Sequence, residues 1–494
     1  MKTFISTLIT FAAIVGSGCS DFLEENLQGT FSSATFFKTK DDLLLALTGA
    51  YNQAAFVSTN NVLWVFGDVA SDDAIKGGAA GDIIDIDYID NFTYTRNNTM
   101  VENMWKYYYE GVSRVNYVLY HGPGIDMDAA LKNRMLGEAK FLRAYFYFSL
   151  VNIYGEIPLK LLPPLSPAEI NIPKTTVAVV YNQIKIDLNE AAQVLPGTYP
   201  GSDIGRATQG AAWGLLAKVH LYNGEWTSVL TAINSLEAST VYSLKPLYTD
   251  NFTQMAKNNS ESIFEIQHVT EQQPKLGNFL NQYFSPAKDN GYYFNVPLQN
   301  FIDEFEVTGA AVDDPRLDYT VGRVGKNWVN GESFDPLWSP TGFLQKKHVQ
   351  PVSTLPIIGD GNLNFVYMRY ADVLLMKAEA LNESGQAGAS MVPLNAVRKR
   401  ARESYLYDIN LPGFGVVPAN LLPDVIDGGL AANRNAIRHE RRVELGFEFH
   451  RYFDLMRYGQ PTAEAALGST GFTFSKRYFL IPQSEIDTNP MINQ

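Results

Sequence analysis

Residues 177–195 read VAVVYNQIKIDLNEAAQVL, and the fold turns on how that stretch is spaced. Val177, Tyr181, Ile184, Leu188, Ala191 and Leu195 recur at steps of 4, 3, 4, 3 and 4 residues. That is the period of one face of an α-helix, so the stretch predicts an amphipathic helix lying on a core. A second stripe runs through Leu131, Met135, Ala139, Leu142, Phe146 and Leu150. It carries Phe141, Tyr145 and Phe148 on another face, and a helix apolar on two faces is expected between neighbours. A third stripe joins Leu43, Leu47, Ala50 and Ala54.

Two longer stretches predict helical hairpins. One spans 208–237 and breaks at Asn223-Gly224; the other spans 370–402 and breaks near Ser384-Gly385. Leu216, Ala217, Tyr222, Gly224 and Trp226 in the first, and Leu375, Ala378, Ala380 and Gly385 in the second, resemble tetratricopeptide repeats. A hairpin buries its apolar face only by stacking on another, so a shared superhelical scaffold is expected. The expected class is mostly α: a tetratricopeptide-like helical-hairpin superhelix with a loop-rich half.

The intervening sequence differs. Residues 155–174 hold Pro158, Pro163, Pro164, Pro167 and Pro173, which predicts an extended connection. Residues 67–98 are rich in Gly, Asp and Asn, with strand-like alternation at 84–88, and residues 240–364 show little helical periodicity. Irregular insertions of about 60–100 and 240–364 on a rigid scaffold are where binding usually sits.

Bulk composition narrows the partners. Acidic residues number 52 against 39 basic ones, a formal charge of −13, which disfavours nucleic acid and anionic lipid headgroups. The chain has one cysteine, Cys19, so it forms no internal disulfide and no cysteine-based metal site. Met1-Lys2 followed by an apolar run from Phe4 to Val15, then Gly16-Ser17-Gly18, has the length and order of a signal peptide and is too short to span a bilayer. Residues 1–18 are therefore expected to be a lipoprotein signal, with Cys19 acylated. Ser20-Asp21-Phe22-Leu23-Glu24-Glu25 places acidic residues directly after it. Membrane attachment is expected through lipid alone.

Catalytic signatures are missing: no His-Glu-x-x-His, no Gly-x-Ser-x-Gly, no Walker-type Gly-Lys-Ser/Thr and no Gly-x-Gly-x-x-Gly after a strand. The six His residues are scattered, so no metal site is expected from them. Asp82, Asp85, Asp87 and Asp90 could offer oxygens to calcium but lack the Gly and closing Glu of an EF-hand loop; a solvated acidic loop is the plainer reading. Asp72-Asp73 is a carboxylate pair whose members should point apart. No enzyme is expected. Instead Trp64, Tyr88, Tyr292, Tyr293, Trp328 and Trp338 lie in the irregular stretches, with Asp68 among them. Flat rings stack on the apolar face of a sugar while acid and amide groups hold its hydroxyls. The expected carbohydrate site is Trp64, Asp68, Tyr88, Tyr292, Trp328 and Trp338.

Residues 437–459 read IRHERRVELGFEFHRYFDLMRYG. Taken alone this is a helix laced with ion pairs, with Arg451 and Asp454 spaced to pair at i, i+3. It also resembles the Glu-Arg-x-x-Glu…Glu…Arg-x-x-Asp-Leu-x-Arg signature of the SusD/RagB family of outer-membrane lipoproteins. Phe36-Phe37 with Asp41-Asp42, Gly205-Arg206-Ala207-Thr208, Arg369-Tyr370-Ala371-Asp372, Leu394-Asn395-Ala396-Val397-Arg398 and Ile481-Pro482-Gln483-Ser484-Glu485-Ile486 agree with it in order along the chain. The resemblance implies a single domain over residues 19–494 with four helix pairs. It implies capture of an oligosaccharide at the cell surface, with delivery to a SusC-like TonB-dependent transporter in the outer membrane. Peptide or glycopeptide capture, as on the RagB side of the family, is the alternative. Fingerprint residues such as Glu440, Arg441, Asp454 and Arg369 are expected to build the scaffold and not the ligand site.

Overall fold

The computed structural model describes residues 36–56, 61–164, 166, 169–273 and 275–493. The expected signal peptide, Cys19 and the acidic run after it lie outside the described residues. Ten helices build the body: α1 Lys40–Ala54, α2 Thr99–His121, α3 Ala129–Tyr154, α4 Val177–Val194, α5 Gln209–Tyr222, α6 Trp226–Glu237, α7 Tyr370–Glu383, α8 Ala387–Arg402, α9 Leu430–Leu445 and α10 Arg451–Tyr458. They pair as α1 with α2, α3 with α4, α5 with α6 and α7 with α8, and each pair packs on the next.

The helices form where the periodicity places them. Val180, Ile184, Leu188 and Ala191 of α4 are buried, and α3 buries both of its ring-bearing faces. Starts are set by side chains that accept the orphan N–H groups of the first turn. Thr39 and Asp42 form a reciprocal capping box on α1, while Asn98, Asp128 and Thr208 cap α2, α3 and α5. The α5–α6 turn needs Gly224 at φ +67°, a conformation that a side chain would strain. A hydrophobic cluster that begins at Leu43 and runs to Phe479 fills the space between the hairpins.

Two expectations are corrected here. The alternation at 84–88 is not a strand: Ile84–Asp90 is a short helix that buries Ile86 and Ile89, three residues apart, and leaves Asp85 and Asp87 outside. Five residues of alternation fit one and a half helical turns as well as they fit a strand. The stretch 437–459 is not one helix. It breaks after Leu445, where Phe447 and Phe449 take φ of 62° and 67°, and Arg451 pairs with Asp72 at 2.7 Å instead of with Asp454. Asp454 receives Arg457 at 2.8 Å and Arg441 at 2.7 Å.

The loop-rich half holds three antiparallel two-stranded ribbons. β1 Ala74–Gly77 pairs with β3 Phe294–Pro297, β2 Ser262–Ile266 with β6 Phe365–Arg369, and β4 Val321–Gly322 with β5 Leu344–Gln345. Ser262 lies opposite Arg369, so residues 267–364 leave and return at one point beside the start of α7.

The hydrophobic cluster extends into the loop-rich half, and a buried ionic network joins the two halves as well. Arg369 donates to Glu261 at 2.9 Å, to Glu444 at 2.5 Å and to Glu448 at 2.8 Å, with all four side chains buried. Arg400 reaches Glu261 and Glu444; Arg316 reaches Asp314, Glu440 and Glu444; Lys347 reaches Glu448 at 2.8 Å. The break at 446–450 turns Glu448 inward to meet Arg369 and Lys347. Burial alone would raise the Glu448 carboxyl, but those two cations bring it down to about 2. Burial likewise opposes ionisation of Glu444, and Arg400, Arg369 and Arg316 outweigh it, holding that carboxyl well below the usual range. Buried charge is tolerated only when paired and hydrogen-bonded, and this cluster meets that condition.

Candidate functional site

The turn at Ala287–Asp289, between the short helix Leu280–Phe284 and β3, organises the exposed rings of the loop-rich half. On one side, Tyr292 is 40% exposed and stacks on Phe294, 5.7 Å between centroids and 15° between planes. Phe279 lies 6.5 Å away in a near-parallel arrangement. On the other side, Lys288 holds its ammonium 4.9 Å over the Trp338 ring and pairs with Asp289 and Glu332. Trp338, itself partly exposed, packs edge-on against Phe334 at 5.2 Å and Trp328 at 6.2 Å. The turn thus lies between two ring groups, with a polar rim of Lys288, Asp289 and Glu332. We refer to this surface as the ledge.

Trp328 is 3% exposed and stands behind the ledge. It borders an open-sided cavity of about 950 Å³ lined by residues from the segments 247–255, 318–331, 346–354 and 408–412. Ledge and cavity are therefore separated by the Trp328–Phe334–Trp338 cluster. Beneath the cavity, burial pushes the Lys347 ammonium down to about 8, and Glu448 limits the fall. Burial, with Arg323 and Lys326 adding to it, takes Lys346 down to about 8.

The six expected site residues fall into different places. Tyr292 and Trp338 share the ledge, and Trp328 lies between ledge and cavity. Tyr88, 42% exposed, stands on the helix Ile84–Asp90, which packs on β1 beside β3. Trp64 is 0% exposed among Tyr283, Phe284 and Phe294, which removes it as a stacking surface. Asp68 is buried, accepts from Asn295 at 2.9 Å, and has its carboxyl pushed well up by burial, so it belongs to the interior as well. Both sit in a segment where apolar neighbours outnumber turn residues, a sign of core. Lys288, Phe252 and Tyr319 were not marked by any sequence pattern; they enter only because the fold brings distant loops together.

The acidic groups weighed for metal or acid–base roles have structural partners. Asp72 and Asp73 receive Arg451 and Arg442, each at 2.7 Å. Asp87 receives Lys76 Nζ at 2.6 Å, Asp90 the Lys76 N–H, Asp85 the Thr99 N–H and Asp82 the Ala79 N–H. Burial takes the Asp90 carboxyl up to about 7. Among the described residues, Glu306, His439 and Glu440 have atoms close enough to share an ion. Arg398 already holds Glu306 at 2.6 Å and Glu440 at 2.9 Å, and His439 Nε2 faces the Glu304 carbonyl at 2.7 Å. Among the described residues no helix is long and apolar enough to cross a membrane.

The fold is a scaffold of stacked hairpins that displays a ring-lined, loop-built surface. Comparison with known proteins supplies its family. Residues 260–494 match the family model described as "SusD family", and residues 21–221 match one described as "Starch-binding associating with outer membrane". SusD-like protein P2 of Formosa agariphila is 28% identical over 92% of this chain and 90% of its own. The solved structure of a laminarin-binding SusD-like protein is 28% identical, covers 92% of this chain and 98% of that one, and has a TM-score of 0.75. Surface glycan-binding protein A of Bacteroides thetaiotaomicron, solved with laminarihexaose, shares the fold at 24% identity and a TM-score of 0.73, covering 91% and 98% of the two chains. This chain belongs to the SusD-like family.

Proposed function

We propose that this chain captures an oligosaccharide on the ledge and passes it to a TonB-dependent outer-membrane transporter. In this reading it is a single unit from residue 19 onward, held at the cell surface by lipid on Cys19. The observation that carries saccharide capture is the partial exposure of Tyr292 and Trp338, one following the Ala287–Asp289 turn and the other under its Lys288, with a charged and polar rim. A pyranose needs both an apolar platform and hydrogen-bonding groups at its edge. The laminarin-binding relative at 28% identity supports the same ligand class.

The test uses a soluble form lacking residues 1–19 and a panel of oligosaccharides. Tyr292→Ala should weaken binding by on the order of 1 kcal/mol or more, about fivefold or more, and leave the melting temperature nearly unchanged. Trp338→Ala should weaken binding too, with some loss of stability because Trp338 packs on Trp328 and Phe334. If Tyr292→Ala binds every saccharide as the parent does, the ledge is not the site. Anchoring has a separate readout: Cys19→Ala should move the full-length protein out of the membrane fraction.

A further inference from the structure

The cavity behind Trp328 has no part in the ledge, and its size calls for an explanation. A cleft of about 950 Å³ is the size of a ligand site. Its wall rings are packed on the interior. Phe252 and Tyr319 flank the buried Tyr248 at 5.5 and 5.7 Å between centroids, and Tyr248 lies over the guanidiniums of Arg400 and Arg369 at 4.9 and 5.4 Å.

The charged groups of the wall are committed within the protein. Lys326 donates to Asp318 at 2.7 Å, Lys347 to Glu448 at 2.8 Å, and Asp250 receives Lys245 at 3.2 Å. Asp408 accepts from the Tyr319 hydroxyl at 2.7 Å and from Asn410 at 2.9 Å. Lys346 spends two N–H groups on the carbonyls of Asp318 and Asn327, at 2.7 and 2.9 Å. By contrast the side chains of Gln254, Asn327 and Thr249 line the cavity and have no partner among the described residues. What remains for a ligand is therefore two amides and a hydroxyl, all uncharged and all able to donate and accept.

We infer that this cavity is a second ligand site, for an uncharged oligosaccharide, its sugar rings against Phe252 and Tyr319 and its hydroxyls on Gln254 and Asn327. The inference rests on the saccharide reading of the chain and adds to it a second site and a ligand class. The lining sets Asp250, Asp318 and Asp408 against Lys326, Lys346 and Lys347, so it has no net positive charge to offset the desolvation of an acidic sugar.

The experiment is calorimetric titration of the form lacking residues 1–19 with neutral gluco-, galacto-, manno- and xylo-hexasaccharides and a galacturonate hexamer. Three proteins are compared: parent, Tyr292→Ala, and Gln254→Ala with Asn327→Ala. A neutral sugar should still bind Tyr292→Ala, and the double cavity variant should lose at least tenfold in that component. Complete loss of binding in Tyr292→Ala would overturn the cavity site and leave capture on the ledge standing. Retention of the galacturonate hexamer alone would overturn the uncharged ligand class. A parent that binds no saccharide would remove both readings. A crystal of the parent grown with the tightest neutral sugar gives a check independent of variant folding: density in the cavity supports the site, and an empty cavity overturns it.

Discussion

The hairpin half and the loop-rich half of this molecule are held together by different physics. Between the hairpins, order comes from apolar stripes: the α3 and α4 faces interlock, and each buried Leu or Phe contributes roughly 1.5–3 kcal/mol. The loop-rich half has short ribbons and turns, and it is pinned by Arg316, Arg369, Arg400 and Lys347 reaching carboxylates of α9 and the bend after it. Apolar contacts tolerate gradual change, since a smaller side chain still packs. A buried charge cluster does not, because removing one member leaves the others unpaired in a medium that cannot solvate them.

The most severe way to break this contrast is Glu444→Ala. Three arginines would lose their shared partner, with an expected loss of about 3–5 kcal/mol by chemical denaturation. A loss below about 1 kcal/mol would mean the cluster is not what pins the loops. Leu188→Ala, in the hairpin half, should cost about 2–5 kcal/mol, set by how far α4 can close on the void. Saccharide affinity separates the two: Leu188→Ala should leave it unchanged, and Glu444→Ala should reduce it.

A pH scan sharpens the contrast. Burial lowers His348 and His268 to about 4, and both lie in the loop-rich half. In the unfolded chain each takes up its proton near 6.5, so stability is complete above that pH and is lost as pH falls from about 6.5 toward 4. The Glu448 carboxylate, at about 2 when folded, adds its loss only below about 4.5. Asp90, at about 7 when folded, and the raised Asp68 carboxyl gain stability over part of the same range and oppose this loss, so the imidazole contribution is read as a difference. The melting temperature of the parent should fall relative to that of His348→Gln between pH 6.5 and 4.5, and a constant difference would contradict the buried neutral state of His348. The smallest effect expected is Thr208→Ala. It removes the cap of α5 and a 3.0 Å contact with Tyr242, at a cost of about 1 kcal/mol in thermal unfolding.

These regions differ in legibility for the same physical reason. A helix writes its burial into spacing, so α1, α3, α4 and both hairpins could be read from residues such as Leu188 and Gly224. A loop's partners are set by the rest of the fold. Trp64 and Trp338 are equivalent in composition, yet one is enclosed by Tyr283, Phe284 and Phe294 and the other faces Lys288. The one local difference is the apolar run around Trp64, against Pro and Ser beside Trp338. Glu448 stands four residues after Glu444, and only the bend through Phe447 and Phe449 turns it inward. Of the expected ring set, the pair that flanks a common turn was included, but its neighbour Lys288 and the cavity rings Phe252 and Tyr319 lay beyond pattern reading.

The β2–β6 ribbon has a consequence for how such a chain can change. Because Ser262 and Arg369 sit side by side, everything from 267 to 364 passes through a single doorway in the body. Lengthening a flexible loop costs free energy only logarithmically in its length, so insertions beyond that doorway are cheap while its frame stays intact. The molecule behaves as a fixed socket with an exchangeable insert: new ligand preferences can be tried in the insert without re-solving the packing of the hairpins.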